Sequence, residues 1–583
     1  MGLLVVGLSS AILLLSILLV DMRFPNVALL GAAIFSSHVI SENTTSQAFD
    51  AREATISSIH HALLSGQTTC LGVVSSFLAR VPTINPDINA IISLNPQALS
   101  LASDLDSKLG NQNYTLPALF CIPILLKDNF DTADLPTTGA SLRLADSKPT
   151  EDAPSVKAFK AAGAIVLGKT NLHELALEGI SASSLGGQTI NPYDSTRTPG
   201  GSSGGTGAAI AASLAVFGTG TDTVNSLRSP ASANSLVSIR PSRGLVSRAG
   251  VIPISYTQDT IGPIGRSVED IAIALNVMKS VGFDPVDNAT ALAPPAARAA
   301  NYQSNLKTGS LSGKRIGILQ GFYNTTSSPE TDPVNTAMSS LHSSLTSAGA
   351  VLVPITSPLY NTTALLATVD VQQYEFREAM DAYLSSPSLR GDRPRTLQEL
   401  YVSGSNGSDF LVLPSQYSYV NTALVSSTSN ATTQTRPSYA TVQQRIANLT
   451  LALHQTFAEQ QLDAIVYPEQ RNLVVKLGSP SQAGRNGILA AVTGFPVVAM
   501  PAGFSRRTAE APEGVPIGFE LLGRPFEEAA LLQMAWAVER RMRVRRTPRL
   551  AKVVVPAEGV SSVPEVRPNR GNIPAQYPLG RLG

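Results

Sequence analysis

Gly200-Gly201-Ser202-Ser203-Gly204-Gly205 opens the stretch that decides the fold, and Gly220-Thr221-Asp222-Thr223-Val224-Asn225-Ser226-Leu227-Arg228 closes it. Four glycines and two serines in six positions give a backbone open to conformations other residues avoid, one that can come close to a ligand. The run between, Thr206 to Val216, is rich in Ala and Gly and reads as a helix packed tightly on its surroundings. The second segment is polar and turn-prone and presents Ser226. Upstream, Ile122-Pro123-Ile124-Leu125-Leu126-Lys127-Asp128-Asn129 sets a lysine at the end of an apolar, strand-like run. A lysine there is partly desolvated, which lowers its pKa and lets it act as a base. A hydroxyl nucleophile is weak by itself and needs such a base beside it. Taken singly, Lys127 reads as a strand-closing surface lysine, Ser202 as a loop hydroxyl and Ser226 as a helix cap.

Other motif readings fail on context. Gly200 to Gly204 fits G-x-S-x-G, but that nucleophile elbow needs a hydrophobic strand just before it, and Tyr193 to Pro199 is a turn. No Gly-Lys-Ser/Thr follows the glycines, so there is no P-loop. His173-Glu174-Leu175-Ala176-Leu177 lacks the second histidine of a zinc-protease helix. With few His and Cys and no ligand spacing, no catalytic metal and no cofactor are expected.

Longer segments carry a resemblance. Thr198 to Gly205 (TPGGSSGG), Gly220 to Ser232 (GTDTVNSLRSPAS), Ser242 to Asp270, Thr493 to Phe504 (TGFPVVAMPAGF) and Gly518 to Ala535, with the lysine run, resemble the amidase signature family over roughly Ala54 to Arg541. The resemblance implies a Ser-cisSer-Lys triad, with Ser226 as acyl nucleophile, Ser202 as bridging serine and Lys127 as base. The family's spacing favours Ser202 over Ser203. It further implies an oxyanion hole of backbone N–H groups around Thr223, Val224, Asn225 and Ser226, with Ser203 beside them and Asp222 and Arg228 as scaffold. The implied fold is α/β: one large domain, a mixed sheet covered by helices on both faces. The implied activity is hydrolysis of a carboxamide C–N bond in a small-molecule amide, in a fungal-type secreted member. Two alternatives share the motifs: the glutaminase-type subunit of a tRNA-dependent amidotransferase, and a catalytically silent binding protein. The family's usual Gly-Gly before the nucleophile is replaced by Val224-Asn225, which narrows the carbonyl pocket; a positive φ there would disfavour Val224. Asn225 tolerates that conformation better and offers a side-chain donor. Lys169 matches a family segment not tied to the triad and reads as structural.

Bulk properties agree with a globular enzyme. Apolar residues make up 43% of the 583, charged residues 15%, and the net charge is +1, which gives no electrostatic case for nucleic acid or an acidic partner. Cys70 and Cys121 form no disulfide framework; buried free thiols are the expected state, with a single bridge as the alternative.

Residues 1–45 are expected to be a secretory signal or membrane anchor. Leu3 to Val20 is apolar and uncharged, and a second apolar run follows from Phe24 to Ile40. Read from Met22 as the true start, the segment becomes an ordinary signal peptide; a buried N-terminal helix is the structural alternative. Sequons at Asn43, Asn113, Asn288, Asn324, Asn361, Asn406, Asn430 and Asn448 avoid the motif core and support secretion or association with a secretory membrane.

Residues 54–545 are assigned to the domain. Ala54 to Ser107 is helical in pattern, with Leu63, Leu64, Leu71, Val74 and Phe77 as the packed face. Ala164-Ile165-Val166-Leu167, Arg315 to Leu319 and Val351 to Pro354 read as strands, and Val156 to Ala162 as a helix. Residues 357–439 are polar and weakly periodic, the kind of region that shapes a substrate funnel in the family. Residues 546–583 are a Pro/Arg-rich tail, and Arg540, Arg541, Arg543, Arg545, Arg546 and Arg549, which lead into it, are expected to form a solvated helix end.

Overall fold

The computed structural model describes residues 49–109, 115–402, 409–429, 437–553 and 560–579; the expected secretory segment and the sequons at Asn43, Asn113, Asn406 and Asn430 lie outside them. Sixteen α-helices surround an eleven-stranded sheet among the described residues. In chain order the strands are β1 (Ile91–Leu94), β2 (Pro123–Lys127), β3 (Ile165–Thr170), β4 (Phe217–Asp222), β5 (Val237–Arg240), β6 (Thr260–Gly265), β7 (Arg315–Leu319), β8 (Val351–Ile355), β9 (Ala464–Pro468), β10 (Val497–Phe504) and β11 (Pro516–Leu522). Their spatial order is β1-β3-β2-β4-β6-β5-β10-β11-β9-β7-β8. β3, β2 and β4 run parallel, as do β9, β7 and β8, while the middle of the sheet is antiparallel. This is the mixed α/β sheet expected from the motifs.

Helices cover both faces. Phe217 and Gly218 are neighbours on β4, so they point to opposite sides. Phe217 packs its ring on Phe159 of the helix Pro154–Ala161, at 5.6 Å between centroids. Gly218 lies under the helix Gly204–Ala211, where a side chain would begin 2.6 Å from Thr206 Cγ2. That helix is buried along its whole length. Its small residues allow this: a Cβ at Gly205 would sit 2.2 Å from the Asn171 carbonyl oxygen.

Several expectations are corrected. The N-terminal helical stretch is interrupted by β1, after Asn89 ends the helix Cys70–Ile88 with φ 50. Leu63, Val74 and Phe77 are buried as expected, but Leu64 and Leu71 are 71% and 39% exposed, because the chain turns between the helices Ile56–Leu64 and Cys70–Ile88. The described part of residues 357–439, weakly periodic in sequence, carries four helices, Thr362–Val369, Gln372–Leu384, Leu397–Val402 and Pro414–Val425. The tail does not stand apart. Tyr577 is buried and donates to the Ser479 carbonyl at 2.7 Å, and Asn572 exchanges two hydrogen bonds with the Gln188 backbone. Arg540, Arg541, Arg543, Arg546 and Arg549 are exposed, but Arg545 is half-buried and pairs with Glu53 at 2.8 Å. No helix among the described residues is long and apolar enough to cross a membrane.

The cysteines are also corrected: Cys70 and Cys121 form a disulfide, with Cα atoms 5.3 Å apart, and no free cysteine remains. The first residue of a helix and the second residue ahead of β2 are brought together by tertiary packing across a separation of 51 residues. Closing a loop of that length stabilises the fold by about 4 kcal/mol in the chain-entropy model. Reductant, or the paired Cys70→Ser and Cys121→Ser substitution, is expected to lower the unfolding free energy in guanidinium by roughly that amount, and native protein should show no thiol to a chromogenic titrant. Titratable thiol in the folded protein would refute the bridge.

Candidate active site

Lys127 closes β2, and its side chain is fully buried. Nζ shares a 2.7 Å hydrogen bond with Ser202 Oγ and donates to Thr221 Oγ1 at 2.7 Å. Thr221 Oγ1 also accepts from Asn129 Nδ2 at 3.2 Å. Burial pushes the Lys127 amine down to about 7, against the charges of Asp222 and Asp259, which favour its protonated form. Lys169, equally buried, has a different setting. It pairs with Asp128 at 3.2 Å and donates to the carbonyls of Phe130 and Pro136, so it ties the loop after β2 in place.

Ser202 follows a cis peptide from Gly201 and hands its carbonyl to His173 N. Ser203 N donates to the Ser226 carbonyl at 3.3 Å, which joins the two serine segments directly, while Ser203 Oγ donates to the Thr221 carbonyl. Ser226 is 8% exposed and lines a cavity of about 270 Å³ with Thr223, Val224, Asp370, Gln416 and Arg485 among its walls. Among the described residues Ser226 Oγ has no protein hydrogen-bond partner. The structure therefore gathers Lys127, Ser202 and Ser226 at one place, with the second serine open to a cavity.

The loop from Asp222 to Arg228 is held from below. Leu227 N and the Arg228 guanidinium both bond Asp222, and Arg240 Nη1 reaches its Oδ1 at 2.8 Å. Burial alone would raise the Asp222 carboxyl; Arg228 and Arg240 hold it down to about 2. Arg228 also pairs with Glu520 at 2.8 Å and bonds the Val224 carbonyl. Every one of these side chains is buried and each charge has an opposite partner, so the loop rests on an ionic lattice.

Above that lattice, the backbone N–H groups of Thr223, Val224, Asn225 and Ser226 donate to no protein acceptor among the described residues. Four successive free amides beside a serine make a donor set for a developing oxyanion. Neither Val224 nor Asn225 is among the residues with positive φ, so the loop accommodates a β-branched residue there without strain. The expected Asn225 side-chain donor is spent elsewhere: its Nδ2 donates to the buried Glu469 Oε1 at 3.0 Å. Thr223 Oγ1 is likewise engaged, on Asp259 Oδ1 at 2.6 Å.

Sequence reasoning missed several residues. Thr221, Asn129, Glu469 and Asp259 support the loop and the lysine, and Asp370, Gln416 and Arg485 form the cavity wall. Thr221 lies inside a quoted motif and was within reach. Asn129 ends the quoted lysine run and Asp259 lies within Ser242 to Asp270, so both were also within reach; Glu469, Asp370, Gln416 and Arg485 come from segments with no motif to mark them.

With this geometry in place, comparison with known proteins is direct. Residues 72–532 match the family model described as Amidase. A probable amidase from Arabidopsis thaliana is 32% identical over 89% of this chain and 96% of its own. A glutamyl-tRNA(Gln) amidotransferase subunit from Microcystis aeruginosa is 30% identical over 83% of this chain and 96% of its own. The native peptide amidase of Stenotrophomonas maltophilia superposes with a TM-score of 0.71 at 32% identity, covering 85% of this chain and 99% of that one. The chain is a member of the amidase signature family and an amide-hydrolysing enzyme.

Proposed function

We propose that the protein is a secreted, fungal-type amidase that cleaves a carboxamide C–N bond through an acyl-Ser226 intermediate, with Ser202 and Lys127 as proton relay. The observation that carries this is the fully buried Lys127 amine, 2.7 Å from Ser202 Oγ and depressed to about 7. In its neutral form it takes a proton from Ser202, which takes one from Ser226. Ser226 Oγ then bonds the carbonyl carbon, and the electron pair moved onto oxygen is held by the amides of the 223–226 loop. Collapse breaks the C–N bond, and Ser202 returns the proton to the leaving nitrogen. Water hydrolyses the resulting ester by the same relay, releasing the acid and restoring Ser226.

The likeness to a peptide amidase supports a peptide-like amide as substrate. Secretion is supported by the Cys70–Cys121 bridge, since disulfides persist in oxidising compartments, and by the exposed sequon residues Asn288, Asn361 and Asn448. The likeness to an amidotransferase component favours the glutaminase alternative, and the disulfide weighs against it. The four free amides weigh against a silent binding protein.

Protein collected from the medium of a secreting eukaryotic host should lose mass on enzymatic N-deglycosylation and release ammonia from peptide amides. Ser226→Ala and Lys127→Ala should each lower kcat by about 10²-fold or more. Undiminished turnover in either variant refutes the relay. The sign of the pH effect follows from the base acting as a free amine. kcat/KM should fall about tenfold per unit below about pH 7 and level off above it. A profile flat down to about pH 5 excludes lysine as the base.

A further inference from the structure

A second cavity, of about 190 Å³, lies next to the first. Thr223 and Ala176 line both, so the nucleophile loop forms part of the wall between them. Thr221, the hydroxyl bonded to Lys127, also lines this second cavity, so it begins at the catalytic lysine. The two differ in chemistry. The cavity holding Ser226 is walled by Glu178, Asp370, Gln372, Gln416 and Arg485. The second is lined by Val251, Ile252, Ile254, Ile261 and Ala379, with Tyr256, Val286 and Ala382 also on its wall.

Polar groups do occur in the second cavity, but the charged ones already have partners. Asp259 accepts from Thr223 Oγ1 and from the backbone N–H groups of Ile254 and Ser255. Arg248 pairs with Asp287 at 2.6 Å, and Tyr383 Oη donates to Asp131 at 2.6 Å. What remains for a ligand is mainly apolar surface, with Tyr256 and Thr260 also on the wall. Tyr256 and Val286 are 49% and 80% exposed, and this places apolar side chains where the cavity meets solvent. A dry cavity of about 150 Å³ takes up benzene, so the space here suffices for a ring or a branched aliphatic group.

We infer that the second cavity is a specificity lobe: the substrate is an amide carrying one bulky apolar substituent, seated there while the scissile carbonyl lies at Ser226. This rests on the amidase reading above and narrows its substrate class. The substituent belongs either to the acyl group or to the amine, and matched substrates separate the two.

The test measures kcat/KM for 3-phenylpropanamide, N-benzylacetamide and acetamide with wild type, Ala382→Trp and Tyr256→Ala. Ala382 is exposed on the helix Gln372–Leu384 and Tyr256 is half-exposed, so both changes leave the core intact, and equal melting temperatures check that. In wild type, one aromatic amide should be preferred over acetamide by about tenfold or more. Ala382→Trp, which fills the lobe, should cut that preference about tenfold, and Tyr256→Ala should cut it several-fold. Loss with 3-phenylpropanamide assigns the lobe to the acyl group, and loss with N-benzylacetamide assigns it to the amine. Preferences that move by less than about twofold in both variants overturn the lobe while leaving the amidase reading standing. Failure of wild type to cleave any amide overturns the amidase reading, and the lobe falls with it.

Discussion

An amine held out of water with no carboxylate touching it is the constraint on which the rest of this structure depends. Lys127 bonds two hydroxyls, from Ser202 and Thr221, and nothing charged. The carboxylates whose field reaches it, Asp222 and Asp259, are each saturated by other donors. If either were free to pair with Nζ, the ammonium would be favoured over the neutral amine. Lys169 shows the contrast: it is equally buried, yet it has a direct carboxylate partner and serves as a tie.

That constraint explains the composition around the site. A lysine at the end of a strand stays dry only if its neighbours close over it. The helix Gly204–Ala211 does so with residues too small to hold it away, and Gly205 and Gly218 are among the points where any side chain would collide. The same closeness brings Ser202 to Nζ and Ser203 N to the Ser226 carbonyl. Below, the Asp222–Arg228–Glu520 lattice fixes a loop that offers four amides and one hydroxyl to a cavity. Removing one member of such a lattice leaves a buried charge unpaired, a cost of about 3–5 kcal/mol, so its side chains are bound to one another's presence.

What was legible in the sequence was the part encoded locally. Lys127 ends an apolar run, Ser202 sits among glycines and Ser226 sits in a turn, and the α/β alternation follows from short apolar segments between helical ones. β7 was read with its observed limits, because Arg315 to Leu319 is bounded by polar residues on both sides. What was not legible depends on distant packing. The disulfide joins segments 51 residues apart, and neither flanking sequence marks the pairing. Asn225 looked available for the substrate until Glu469, which follows β9, took its amide. The wall residues Asp370 and Gln416 come from a stretch whose helices are short and polar on several sides, so no apolar stripe announced them. Arg545 looked like the other arginines of the tail, and only the fold brings it to Glu53.

The most direct measurement of the central claim is labelling by a serine-reactive fluorophosphonate with mass mapping of the adduct, since it reports the nucleophile and its activation without any choice of substrate. Modification of Ser226 in the wild type, abolished in Ser226→Ala and strongly slowed in Ser202→Ala and Lys127→Ala, is the expected result. A folded wild type that takes no label, or one labelled at Ser226 as fast without Lys127 as with it, would contradict a nucleophile driven by a buried neutral lysine.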